Sequence, residues 1–163
     1  MELRLKWLIV IAVSVLSGWA VNAAGPAPKF KKQKIELSYK THKKVLTLDA
    51  AETVEEQAYG LMNRKKMALD DGMIFIFQEV SRREFWMKDT LIDLDIAYVG
   101  PERTVIDIQN MKAMKSVLQT NLPTYPSKGP AQYAIEMNSG WFKKNGFPVG
   151  SQLKLLPGPT SKK

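Results

Sequence analysis

The run Met73-Ile74-Phe75-Ile76-Phe77 constrains this chain more than any other feature. Five consecutive apolar residues, mostly β-branched or aromatic, have the length of a strand and leave no polar face. They predict a buried central strand. The residues around them fall into similar short runs separated by turns. Residues 35–39 and 45–48 flank the polar turn Thr41-His42-Lys43 and predict a hairpin. Residues 84–87, 94–99, 104–111, 133–137 and 152–155 predict further strands. Asp70-Asp71-Gly72 and residues 100–103 read as turns, as does the stretch 140–146. Residues 121–130, with three prolines and a glycine, read as a loop.

One helix stands out. Thr53 with Glu56 three residues on forms a capping box: the hydroxyl takes a free backbone N–H and the carboxylate reaches back to the cap. Residues 54–59 follow, and Gly60 is placed to end the helix with positive φ. Short strands with one or two short helices predict a mainly β protein, a sandwich or barrel. An α+β roll is the alternative if residues 54–62 and 111–118 are both helical.

The N-terminus predicts export. Arg4 and Lys6 precede an apolar stretch, residues 8–20, and Val21-Asn22-Ala23 offers small residues for cleavage. Residues 1–23 are therefore expected to be a secretory signal peptide, placing the mature chain in the periplasm or outside the cell. No transmembrane segment is expected after cleavage. Residues 24–34, with two prolines and four lysines, read as a basic flexible linker. Residues 35–157 are expected to form one domain and residues 158–163 a disordered tail. The mature chain contains no cysteine, so its core has to hold it together without disulfides. The whole chain carries a formal charge of +8. That charge serves solubility first, and would also draw the chain to an anionic envelope surface as a partner. The scattered basic residues match no nucleic-acid motif, so no nucleic acid is expected.

With no cysteine and a single histidine, His42 in a polar turn, zinc and copper sites are excluded and no cofactor is expected. Asp89, Asp93 and Asp95 form an acidic run. Asp93 and Asp95 share a strand face if the strand starts near Asp93, and pairing Val99 with Thr104 sets them beside Asn110 and Ile108. Such a group could bind Ca²⁺ or act as an acid–base pair. A solvated strand face, or an aspartate capping a turn, is the favoured reading, since no twelve-residue calcium loop is present. Trp86, between Phe85 and Met87-Lys88, is either core or an aromatic platform of the kind that binds a sugar ring. Arg64, after the glycine-ended helix, either aims at an anionic ligand or forms an ion pair with Asp89, Asp95 or Glu136.

These residues resemble the DUF192 family. The resemblance rests on Gly60-Leu61-Met62-Asn63-Arg64, on the run from Gly72 to Phe77, and on Phe85-Trp86-Met87-Lys88-Asp89-Thr90 with the strand that follows. It continues through Tyr125-Pro126-Ser127, Glu136, Gly140 and Gly150. It implies a compact jelly-roll-like β sandwich, often exported, without an assigned activity. Two positions depart from the family pattern: Asp89 replaces its usual asparagine, and Gln57 an arginine it often has. The expected site comprises Arg64, Trp86, Lys88, Thr90, Asp95 and Glu136, binding a small polar or carbohydrate-like ligand without catalysis. Two alternatives are a hydrolase of envelope polymers using Asp95 and Glu136, and a structural or interaction protein of the envelope.

Overall fold

The computed structural model describes residues 27–116 and 121–157. The signal-peptide and C-terminal-tail expectations lie outside them, as do residues 117–120. Nine strands and two short helices follow in order: β1 (Lys31–Tyr39), β2 (His42–Ala51), α1 (Val54–Tyr59), β3 (Gly72–Ser81), β4 (Glu84–Trp86), β5 (Leu94–Val99), β6 (Val105–Met111), β7 (Thr124–Pro126), β8 (Ala131–Asn138), α2 (Trp141–Lys144) and β9 (Gln152–Leu155). Seven strands form one sheet in the order β6-β5-β8-β3-β2-β1-β9, while β4 and β7 form a second, two-stranded sheet. The sheet curls far enough for Thr104 and Gln152 to meet in an isolated bridge, without closing. The protein is mainly β and sandwich-like, as expected. The α+β alternative fails because α1 stops at Tyr59 and Met111 ends a strand.

The apolar run lies within β3, between β8 and β2. Its alternating side chains feed two cores. Ile74 joins Ile35, Leu37, Leu48, Ile135 and the α2 residues Trp141 and Phe142 on one face. Met73, Phe75 and Phe77 join Leu61, Ile96, Tyr98 and Ala134 on the other, beneath Phe85 and Tyr125 of the small sheet.

β2 and β3 are parallel. A parallel neighbour cannot be reached by a tight hairpin, so the chain crosses over through α1 and residues 60–71. The expected capping box is present, with Glu56 N–H donating to Thr53 Oγ1 (3.2 Å) and Thr53 N–H to Glu56 Oε2 (2.9 Å). Gly60 ends α1 at φ 51° and ψ −132°, a conformation close to one that essentially only glycine adopts.

Four expectations need correction. β1 begins at Lys31, so residues 31–34 belong to the sheet and not to a linker. They pair with residues 47–50 of β2, and this ladder orders a stretch whose composition is that of a linker. Thr124–Pro126, expected as loop, pairs with β4. Trp141–Lys144, expected as turn, is a helical turn that buries Trp141 and Phe142. The β5–β6 register also differs. Arg103 takes φ 59°, Gly100 N–H bonds the Thr104 carbonyl, and a bulge follows at Tyr98/Val99. Together these bring Asp95 opposite Asn110 and Ala97 opposite Ile108.

Candidate functional site

The crossover and the small sheet leave a gap above β3 and β8. Its floor is Glu136, in register with Met73 of β3 and Ile96 of β5. The side chain is 4% exposed, and its carboxyl has no hydrogen-bond or ion-pair partner among the described residues. It lines a cavity of about 30 Å³ with Gln57, Gly60, Trp86, Lys88 and Thr90. That space holds one or two waters, or a single polar group of a ligand. Burial pushes the Glu136 carboxyl up to about 8, against the opposing pull of the Arg64 guanidinium. At neutral pH it is mostly protonated, so it can donate one hydrogen bond and accept others.

Two family motifs meet at the wall. Asn63 N–H donates to the Asp89 carbonyl (2.8 Å), tying the Gly60–Arg64 loop to the turn after β4. Asp89 occupies that turn at φ 50°. Asparagine and aspartate tolerate this left-handed region best among residues with side chains. Asp89 suits this conformation, as the family's usual asparagine would. Thr90 is buried and donates from Oγ1 to the Lys88 carbonyl (3.1 Å). Alternation along β4 sends Phe85 inward, edge-on to Phe75 (4.8 Å) and Tyr98 (5.8 Å). The same alternation leaves Trp86 outward and 53% exposed. The Lys88 ammonium lies 5.7 Å from the Trp86 ring centroid.

Four of the six expected site residues, Trp86, Lys88, Thr90 and Glu136, therefore line one cavity. Arg64 stands beside it. Its Nη2 donates to Asp49 Oδ2 (2.7 Å), and Lys32 binds the other Asp49 oxygen (2.7 Å). Burial alone would raise the Asp49 carboxyl, but hydrogen bonds from Lys32 and Arg64 hold it below the usual carboxylate range. Arg64 thus forms a structural ion pair, with a partner other than the three expected. Asp49, Met73 and Glu136 lie in register across three strands, so the pair sits two strands from Glu136.

Asp95 is elsewhere. It pairs with Met137, one residue out of step with Glu136, so the two carboxylates project from opposite faces of the sheet. Asp95 Oδ1 accepts from Asn110 Nδ2 (2.8 Å) and Oδ2 from the Gly140 N–H (2.8 Å), which anchors the turn into α2. Asp93 binds Lys112 and the Ala113 N–H, both at 2.8 Å. Asp93 and Asp95 are thus dispersed onto separate protein donors. Among the described residues, no group of three or more His, Cys, Asp or Glu could hold a metal ion. Asp95 also lines a mostly apolar cavity of about 460 Å³ with Tyr39, Ile108, Phe142 and Phe147, on the face away from Glu136.

The family model DUF192, described as Uncharacterized ACR, COG1430, matches residues 36–155. The chain belongs to the DUF192 family. No curated protein matches it. Similar crystal structures include the following two. One is a Sinorhizobium meliloti 1021 protein provisionally described as a transcription regulator, 28% identical with a TM-score of 0.69. That match covers 78% of this chain and 96% of the other. The second is a protein of unknown function from Novosphingobium aromaticivorans DSM 12444, 29% identical with a TM-score of 0.70, covering 81% and 91%. Of the DUF192 motif residues quoted above, Gly60, Leu61, Met62, Phe75, Phe85, Trp86, Lys88, Thr90 and Glu136 line the small cavity.

Sequence reasoning missed Gln57, Phe77, Arg82 and Arg83. Gln57 Nε2 bonds the Ile76 carbonyl (3.0 Å) and lines the cavity. Its departure from the family pattern was the available signal. The pair Arg82-Arg83 joins β3 to β4. Its position directly before the Phe85-Trp86 strand is what brings it to the site.

Proposed function

We propose that this DUF192 protein is a non-catalytic binding domain of the cell envelope for a small polar, carbohydrate-like ligand, held between α1 and β4. The observation that carries the reading is Glu136: a carboxyl 4% exposed, without a protein partner among the described residues, opening onto a small cavity. Water entering the cavity can bond that carboxyl, and a ligand hydroxyl that displaced the water would take over its bond. Trp86 offers an exposed ring on which a sugar can stack, and Lys88 and Thr90 supply further polar atoms.

The hydrolase alternative needs two carboxylates on either side of one bond. Asp95 and Glu136 face opposite sides of the sheet, which favours binding over hydrolysis. A regulator's role is not carried over from the Sinorhizobium meliloti protein. The two described helices have six and four residues, short for a helix that reads a DNA groove. Export is part of the proposal and rests on the signal-peptide pattern of residues 1–23, with the basic mature chain drawn to anionic envelope surfaces.

The test is a thermal-shift screen of monosaccharides and wall fragments against the native chain, Trp86→Ala and Glu136→Gln. A ligand at a hundred times its Kd adds about 2.7 kcal/mol of apparent stability. A shift seen in the native chain and lost in both variants supports the reading. A ligand bound equally by all three proteins places the site elsewhere. Cell fractionation with N-terminal sequencing tests export, and an unprocessed cytoplasmic chain would overturn it.

A further inference from the structure

The Glu136 cavity does not end at Trp86. A second cavity of about 380 Å³ shares Gln57, Ala58, Phe75, Phe85 and Trp86 with it, so the two adjoin. A volume of that size is typical of small-molecule pockets. The inner space admits one polar group only. The outer space is the part that can take the body of a ligand.

Its electrostatics are unbalanced. Arg82 and Arg83 line the outer cavity, and Lys88 lines the inner one. Against them stand Glu84 and the mostly protonated Glu136. Neither arginine has a carboxylate within ion-pair distance among the described residues. Arg83 is also held in an unusual way. Its guanidinium lies 4.0 Å above the Phe77 ring, its Nη2 donates to the Glu79 carbonyl, and its Nε is buried with no acceptor. Arg82 Nη1 makes one long bond to the Ser127 carbonyl (3.4 Å). A guanidinium presents five donors in a planar fork suited to carboxylate and phosphate oxygens, and most of that capacity is unused here. Arg82, Arg83 and Lys88 outnumber Glu84 around the joined cavities, with Glu79 acting on Arg83 from nearby, and the unused guanidinium donors suit an anion on the ligand.

We propose that the ligand of this site is an acidic sugar, a ring carrying a carboxylate or a phosphate. Its anionic group lies against Arg82 and Arg83, its ring stacks on Trp86, and one hydroxyl reaches Glu136. The inference rests on the binding reading above and narrows it from polar ligands in general to anionic ones.

The experiment is calorimetric titration of the native chain with four probes: glucuronic acid, glucose 6-phosphate, glucose and glucosamine. Charge-assisted bonds to an arginine fork should favour an acidic probe over glucose by about tenfold or more. Added salt should shrink that preference. Glucosamine should bind weakest. Arg83→Gln and Arg82→Gln should each bring the ratio of acidic to neutral affinity toward one. Arg82 is exposed, so Arg82→Gln carries the test alone if Arg83→Gln unfolds. Whether glucuronic acid or glucose 6-phosphate binds more tightly identifies which anionic group the fork selects. If glucose binds as tightly as the acidic probes, and Trp86→Ala still abolishes binding, the acidic preference is wrong while the binding reading stands. If none of the four binds, both fall.

Discussion

Asp95 and Glu136 occupy adjacent strands, yet their carboxyl groups face opposite sides of the sheet, because β5 and β8 pair Asp95 with Met137 and Ile96 with Glu136. The two residues look alike in the sequence, as acidic residues in apolar strands. The structure gives them opposite chemistry. Asp95 has a protein donor on each oxygen, and Glu136 has none among the described residues.

Asp95→Ala should therefore be a stability variant. It strands the Gly140 N–H, at a cost of about 1–3 kcal/mol, while the Asn110 amide keeps the Leu94 carbonyl and Ser139 Oγ. It should leave ligand affinity at the Glu136 cavity unchanged within error. Urea denaturation beside titration with any ligand found separates the two effects. Loss of binding in a variant that still folds would return Asp95 to the site.

Glu136 should write its own signature into the pH dependence of stability. Its carboxyl titrates near 8 in the folded chain, against a reference value of 4.5. Between those values the folded state holds a proton that the unfolded state has released, so stability falls as pH rises. The loss is on the order of 3 kcal/mol by pH 7 and is complete above pH 8. Asp49, Glu56, Asp70 and Asp93 are all shifted downward, so their contributions are lost only under more acidic conditions. Denaturation midpoints at pH 5, 6, 7 and 8 should decline for the native chain and stay nearly level for Glu136→Gln. Parallel curves for the two proteins would place the raised titration elsewhere.

Most of the strands could be read from the sequence because each is a short apolar run bounded by turn residues, and α1 because Thr53 and Glu56 form a local cap. What could not be read depends on partners distant in the chain. Residues 31–34 look like a linker until β2 supplies their hydrogen bonds. Tyr125 looks like loop until it pairs with Phe85. The β5–β6 register turns on one left-handed residue, Arg103, and one bulge, neither of which has a residue-type signature here. Four of the six expected site residues converge because the family motifs line one gap. Arg64 and Asp95 fall outside it because Asp49 takes the guanidinium and strand alternation turns Asp95 away.

Gly72 has a packing role beneath the site. A Cβ there would lie 2.3 Å from the Glu136 carbonyl oxygen and 2.4 Å from Met137 Sδ. The oxygen belongs to the β8 backbone and cannot yield without breaking the β3–β8 ladder. Gly72→Ala should cost about 3 kcal/mol or more, at the upper end for overpacking. Gly100→Ala is the control, since its nearest neighbour would be Ile106 Cγ2 at 3.4 Å. Equal melting temperatures for the two variants would show that β8 moves more freely than this packing allows.

Phe85 and Trp86 are adjacent aromatic residues that should fail in different ways. Phe85 is half-buried and packs edge-on against Phe75, Phe77 and Tyr98. Truncating it opens the core beneath the small sheet, so Phe85→Ala should cost about 3 kcal/mol. Trp86 is 53% exposed, and the Lys88 ammonium lies 5.7 Å from its ring centroid. An exposed cation–ring contact is worth about 0.5–1 kcal/mol, so Trp86→Ala should lose no more than about 1 kcal/mol. It should nevertheless abolish sugar binding, because the stacking surface is gone. Urea midpoints and calorimetric titration on both variants check the contrast. A Trp86→Ala variant as unstable as Phe85→Ala would make Trp86 part of the core and remove the platform on which the binding reading stands.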